Sequence, residues 1–328
     1  GQTYIYMAIR RPMKTPEAGT EVYTTIARAG NNVTTQIPTG FTVGMFLSTT
    51  RNQTWYHAAV WDRLRGQQTF VITSTTQAEQ GNTAQFKSFD QDGITVGPDS
   101  SGWINNASAN YVYNLFKRAT GFMDVVAYTG NGTAGATQAH NLGVVPEMMI
   151  VKRRSDYDLW PVYHATLGNT KYIQLNSDVP EGAWSGTWNN TTPTASVFSL
   201  GSGSYTNASS STYVAYLFAT LAGISKVGSY TGTGSSLNVD CGFTGGARFI
   251  LIRRYNYPSG GSEWYIYDST RGISALGTDD PYLLLNTTDA QVTNTDYVAS
   301  LSAGFNVTSN ASSTINVNGG TYIFLAIA

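Results

Sequence analysis

This sequence predicts an all-β protein of tandem antiparallel sandwiches, and three observations carry that prediction. A short apolar strand led by tyrosine recurs four times: TYIYMAI at 3–9, YVYNLFK at 111–117, YVAYLFA at 213–219 and TYIFLAIA at 321–328. Its lead tyrosines, Tyr4, Tyr111, Tyr213 and Tyr322, stand about a hundred residues apart, a domain-sized period. Between them, turn residues separate short runs in which apolar side chains alternate with Thr, Ser and Tyr, and no stretch carries a 3.6-residue stripe. Very little helix is expected.

Each repeat reads as the same order of strands. The opening strand carries Tyr23, Tyr128 or Tyr230. A glycine turn at Gly40, Gly143 or Gly242 leads into a second strand at 43–47, 148–151 or 249–252, and the later two copies end in basic pairs, Arg153-Arg154 and Arg253-Arg254. The third strand holds Trp61-Asp62, Tyr163-His164 or Tyr267-Asp268 and stops at Gly66, Gly168 or Gly272. A fourth follows at 70–74, 172–176 or 282–286, and a fifth and sixth flank a glycine turn at 89–94 and 301–305. An Asn-Ala-Ser turn at Asn106 or Asn207, replaced by 316–320 in the third copy, precedes the closing strand. About seven short strands at this spacing point to a β-sandwich, with a jelly-roll or concanavalin-like topology preferred.

The domains expected are 12–117, 118–220 and 221–328, with 1–11 as the closing strand of an upstream repeat or a strand donated to a neighbour. An exposed apolar edge of that kind invites pairing, so Tyr4 to Ile9 is expected to be ordered against the first sandwich or an adjacent subunit. The links are short, which suggests a fixed, rod-like order of domains. One strand face is expected to meet the opposing sheet and the other to meet solvent or a neighbouring subunit.

Composition narrows the function. Charged residues make up 12% of the 328, and the net charge is −1, so there is no basic field for nucleic acid or an anionic membrane surface. No run of about 18 apolar residues is present to insert into a membrane. Cys241 is the sole cysteine and there are three histidines, which leaves no disulfide framework and no spacing for a zinc site; no cofactor is expected.

Several candidates are read first as structure. Trp160 and Trp264 sit three residues before Tyr163 and Tyr267, on the opposite strand face, as core anchors rather than sugar platforms. Asp62 with Arg65, and Asp268 with Arg271, read as ion pairs bracing a turn; the second repeat has His164 and Leu167 there. The Asp90-Gln91-Asp92-Gly93 string reads as a hairpin turn and Cys241 as a small buried residue, while His57, His140 and His164 form no constellation. Of the sequons at Asn106, Asn207 and Asn286, the first two are the repeat turn itself, and such strings arise by chance in an Asn/Thr-rich chain. Loops that differ between repeats are better sites on a duplicated scaffold. Trp184 and Trp188, set among Gly, Ser and Asn, and Tyr255 and Tyr257 in the third repeat are therefore the candidate ligand-binding residues.

The strings HNLGVVPEMMIVKRR (140–154), KVGSYTGTGSS (226–236), ARFILIRR (247–254), WYIYDSTRG (264–272), PYLLLNTTDA (281–290) and GGTYIFLAIA (319–328) resemble a repeat family of tailed-bacteriophage virion proteins, especially tail-fibre and host-attachment proteins of marine and cyanobacterial phages. The first repeat departs from the pattern, with Thr49-Thr50-Arg51 in place of a basic pair and Ala58 in place of the tryptophan. The resemblance implies a C-terminal portion of a fibre, a virion location, a homotrimer and contact with other virion proteins. It implies no catalytic residues. The expected function is non-enzymatic attachment to a host-surface glycan or protein. A head-fibre or capsid-decoration role and a polysaccharide depolymerase are the alternatives; the last needs two carboxylates in one groove, and no such pair is evident.

Overall fold

The computed structural model describes residues 14–81, 85–257, 261–273 and 277–328; the expected edge strand at Tyr4 to Ile9 lies outside them. The first sandwich contains β1 (Tyr23–Ala29), β2 (Thr35–Pro38), β3 (Met45–Thr50), β4 (Ala59–Asp62), β5 (Thr69–Ile72), β6 (Gln80–Gly81), β7 (Phe86–Asp90), β8 (Gly93–Val96) and β9 (Asn110–Phe116). A large sheet runs β1-β9-β3-β4-β5-β6 and a small one β2-β8-β7, all antiparallel. Phe46 and Trp61 from the large sheet meet Ile37, Phe86 and Ile94 from the small one in a buried core.

The second sandwich contains β10 (Met123–Thr129), β11 (Ala136–Ala139), β12 (Met148–Arg153), β13 (Pro161–His164), β14 (Lys171–Gln174), β15 (Gly182–Ala183), α1 (Ser185–Trp188), β16 (Val197–Leu200), α2 (Ser204–Asn207) and β17 (Thr212–Phe218). Its large sheet is β10-β17-β12-β13-β14-β15, but its small sheet has only β11 and β16. The third contains β18 (Ser225–Thr231), β19 (Leu237–Asp240), β20 (Phe249–Arg254), β21 (Tyr265–Asp268), β22 (Leu283–Leu284), β23 (Val298–Leu301), β24 (Gly304–Val307) and β25 (Thr321–Ile327), in sheets β18-β25-β20-β21-β22 and β19-β24-β23. The chain is thus the all-β, sandwich-built protein its sequence predicts.

The recurring tyrosine has a physical reason. Tyr111, Tyr213 and Tyr322 each donate their hydroxyl to a carbonyl, of Gly102, Ser204 and Thr314, at 3.0, 2.6 and 2.9 Å. Each hydroxyl also accepts a main-chain N–H, from Asn106, Ala208 and Val317. Six residues earlier stands a buried asparagine, Asn105, Asn207 or Asn316, whose amide donates to two carbonyls and accepts an N–H from the loop after the opening strand. This corrects the sequence alignment by one position: Asn105, not Asn106, is the counterpart of Asn207. Both amide hydrogens of Asn207 are used in a buried site, which closes that sequon to modification.

The three sandwiches do not follow one another as a rod. Along β9, Tyr111, Tyr113 and Leu115 face their own small sheet, whereas Val112 and Phe116 face the other two repeats. The same split divides β17 into Tyr213, Ala215 and Leu217 against Val214, Tyr216 and Phe218, and β25 into Tyr322, Phe324 and Ala326 against Ile323, Leu325 and Ile327. The outer faces of all three large sheets meet in one shared core. There Phe116 lies 6.2 Å from Phe218 and 5.5 Å from Phe249, and Tyr23 lies 5.3 Å from Phe249. A residual space of about 50 Å³ at its centre is lined by side chains of all three repeats. Strands buried on both faces read as almost continuous apolar runs, which explains the composition of the closing strand.

The seams between repeats are cyclic. Trp160 Nε1 donates to Thr75 O at 3.1 Å and Trp264 Nε1 to Gln174 O at 2.8 Å, each reaching into the preceding repeat. Both tryptophans are core anchors, but of the shared core rather than of their own sandwich. Above them Lys152 donates to Thr76 O, and Arg253 to Ser177 O and Val179 O. Lys152 and Arg253 pair with Val214 and Ile323 at the same register, so the true counterpart of Lys152-Arg153 is Arg253-Arg254, one residue off the sequence alignment. Gln291 N to Arg51 O repeats the Glu79 N to Arg154 O bond, both at 2.8 Å, and joins the third repeat to the first. Gly19 packs so closely on Ala328 that a Cβ there would lie 1.9 Å from its carbonyl oxygen. The ring is closed.

Candidate functional site

The predicted ligand-binding aromatics do not form one site. Trp188 is 1% exposed, stands edge-on to Tyr163 and donates Nε1 to Lys171 O at 3.0 Å, so the reading of it as a surface ligand platform is corrected: it is a core residue of the second sandwich. Its place at the end of a one-turn helix turns the indole inward. Trp184 is 40% exposed, edge-to-face with Tyr205 at 4.9 Å, and lies over Gly186 and Gly203, where a Cβ would run 2.3 and 2.2 Å from the ring. Tyr255 packs on the shared core, and Tyr257 lies 4.8 Å beneath the Arg254 guanidinium. No hydrogen bond or ring contact among the described residues joins the first pair to the second.

The other sequence candidates are structural. Asp62 with Arg65 and Asp268 with Arg271 are ion pairs at 2.5 Å with fully buried side chains, and both brace the turn after the third strand. Asp90 accepts hydroxyl bonds from Ser88 and Thr95 within the β7–β8 hairpin, whose turn residue Gly93 has φ +124°. Cys241 is buried, and burial pushes its thiol up to about 12, so it carries no thiolate at neutral pH. His57 Nδ1 meets Ser74 Oγ at 2.6 Å, and His140 Nε2 meets Thr194 O.

A concavity lies elsewhere, on the second repeat, as an open groove of about 660 Å³. Three local departures from the repeat open it. First, the residue after the third strand, whose N–H bonds back to Gly44 O, Glu147 O or Arg248 O, is Arg63, Ala165 or Ser269. Arg63 fills the space in the first repeat, donating to Val43 O, Phe89 O and Asp90 O and lying over Phe89. Ala165 leaves it vacant.

Second, the segment before β20 is latched by Gly246 N to Ser302 O and Ala247 N to Gly304 O, both 2.9 Å. Pro146 occupies the position of Ala247 and has no N–H to donate, and Val144 and Val145 beside it are 38% and 44% exposed. Third, the hairpin strand that covers this region as β7 or β23 is missing from the second small sheet, and α1 and the loop before β16 take its place.

The floor of the groove is Tyr163, 3% exposed, on β13 at the position of Trp61 and Tyr267. Its hydroxyl has no hydrogen-bond partner among the described residues. Burial, and then the charge of Glu147, raise its pKa, so it is a neutral phenol. Glu147 Oε2 accepts Thr220 N at 2.5 Å, and Asn169 Nδ2 donates to Thr192 Oγ1 at 2.9 Å across the mouth. Among the described residues no Lys or Arg lines the groove, and Glu147 is the one carboxylate. Among the described residues no group of three or more His, Cys, Asp or Glu is gathered as a metal would require. The sequence did carry the signals, Pro146 and Ala165 against their counterparts, but a search for aromatics in loops passes over the loss of a donor and of a plug.

A family model described as a domain of unknown function (DUF7483) matches residues 18–328 and so spans all three repeats. No curated protein matches the chain.

Proposed function

We propose for this chain, which belongs to the DUF7483 family, the role of a non-enzymatic attachment protein of a bacteriophage virion, part of a fibre that meets the host surface through its second repeat. The observation that carries this reading is the groove: one scaffold is built three times, and the copy that departs from it does so by opening a concave surface with an unpartnered phenol at its floor. Function added to a repeated scaffold resides where the copies differ. The closed ring of cross-braced sandwiches supports the same role, since a fibre module must carry load without domains swinging. Binding without hydrolysis is favoured because glycosidases use two carboxylates across the bond and the groove offers one.

The test is adherence of the fluorescently labelled chain to host cells, together with immunolabelling of intact virions. Saturable adherence and label at the fibre are expected, with no oligosaccharide released from the host surface. Absence of adherence with label spread over the capsid shell would favour a decoration role, and released oligosaccharide would make the chain a depolymerase.

The same geometry bears on the oligomer: the outer apolar faces of the three large sheets are covered within one chain. We therefore expect light scattering to read a single chain of 35.4 kDa; a threefold larger mass would restore the trimer implied by the family resemblance.

A further inference from the structure

We propose that the groove of the second repeat binds the end of a neutral saccharide, with Tyr163 as the residue that orients it; this rests on the attachment reading and names the ligand class of that site. Three properties select the ligand. With no cation in the lining among the described residues and the Glu147 carboxylate present, an anionic group meets repulsion, so phosphate and uronate ligands are disfavoured. The wall of Val144, Val145 and Pro146 is a small apolar strip suited to the C–H face of a sugar ring, and too short to take a hydrophobic helix. The rest of the lining carries hydroxyl, amide and carboxylate groups, the combination that pairs with several ligand hydroxyls at once.

Within that set, Tyr163 is the side chain that makes no hydrogen bond among the described residues. The Glu147 carboxylate is oriented by Thr220 N, and Asn169 Nδ2 is held by Thr192, which leaves Asn169 Oδ1 as an acceptor at the mouth. The Tyr163 ring is almost fully buried while its hydroxyl opens on the groove, where water or a ligand hydroxyl is its hydrogen-bond partner. In the third repeat the same position, Tyr267, is sealed with its hydroxyl also unpaired, and in the first Trp61 is fully buried among Phe46, Phe70 and Phe86. Only the second repeat gives this atom an exit. A ligand hydroxyl entering there would donate to or accept from Tyr163 and stack its ring on the valine wall.

The experiment uses the whole chain and saturation-transfer NMR with titration against glucose, galactose, N-acetylglucosamine and their β-linked dimers, with galacturonic acid as the charged arm. Saturable binding to at least one neutral sugar is expected, weakened about tenfold in Tyr163→Phe, which removes a hydroxyl bonded to nothing in the protein. Ala165→Arg, which restores the plug of the first repeat, should abolish binding, and Trp55→Ala, at an exposed aromatic of the first repeat, should leave it unchanged. Retained thermal midpoints confirm that the variants fold; were Ala165→Arg to misfold, Tyr163→Phe decides alone. Binding that survives in these two variants, no binding to any neutral sugar, or preference for the uronate would overturn the proposal. The two readings separate cleanly: a chain that adheres to host cells equally well as Ala165→Arg keeps its attachment role and loses this site, whereas sugar held in the groove without adherence to cells keeps the site and removes the role.

Discussion

Arg65→Ala is expected to lower the stability of the whole ring by about 3–5 kcal/mol, because it removes one partner from a buried charged network and leaves the other stranded. Arg65 is fully buried between the first and second repeats. Its Nε pairs with Asp62 at 2.5 Å, Nη1 with Glu79 at 2.8 Å, and Nη2 with Val60 O and Tyr216 OH, both at 3.0 Å. Glu79 in turn holds Arg154 of the second repeat at 2.9 Å, and Tyr216 donates its hydroxyl to Asp62. Burial alone would lower the pKa of Arg65 and raise that of Glu79. The surrounding opposite charges win in both cases, holding Arg65 above and Glu79 below its ordinary value, so both remain charged. Urea unfolding of wild type and variant measures the loss. Asp62→Asn combined with Arg65→Met should recover part of it, since neither leaves an isolated charge beneath the seam. A loss below about 1 kcal/mol, the range of an exposed pair, would show that the network does not hold the repeats together.

Acidification from pH 7 to about 4 is expected to loosen the seam between the second and third repeats, at a cost on the order of 3 kcal/mol. His164 occupies the place of Asp62 and Asp268, but with Leu167 where they have an arginine. It is almost completely buried, its Nδ1 accepts Thr166 N at 3.2 Å, and its Nε2 makes no well-formed hydrogen bond. Burial drives its pKa down to about 4 against an ordinary 6.5, with the main chain of Phe324 in the third repeat pulling weakly the other way. A depressed pKa means that the unfolded chain takes up the proton first. The stability contributed by neutral His164 is therefore complete above about pH 6.5 and is lost as the pH falls toward the folded value. Thermal midpoints between pH 7 and 4 should fall less steeply in His164→Asn, whose Oδ1 can still accept Thr166 N. Equal slopes in the two proteins would place the acid sensitivity elsewhere.

Both effects lie on seams, and the seams were the part the sequence did not show. The tyrosine-led strand, the glycine turns and the Asp-Arg turn brace were legible because each is satisfied within its own repeat, by partners a few residues away or across one sheet. The asparagine register and the basic pair were each read one position off, since the partners that fix them are carbonyls on other loops. Trp160 and Trp264 were read as anchors on the face opposite Tyr163 and Tyr267, which is where they stand, yet the core they anchor belongs to three repeats. For the site, Trp184 is exposed as a loop aromatic should be, whereas Trp188 is drawn inward by α1. The groove came instead from Pro146 and Ala165, small residues whose meaning is the bond or the side chain they fail to supply.

The sequence by itself determined the fold class, because alternation, turn chemistry and a repeated strand are local properties of the chain. Only the tertiary structure decided what the second face of each large sheet covers. An apolar strand face is driven out of water with no preference for its partner, so the same pattern serves a solvent-shielding neighbour, a second copy or a sister repeat. Here the sister repeats are held at high effective concentration by short links, and cyclic hydrogen bonds from Trp160, Trp264 and Gln291 close them into one ring.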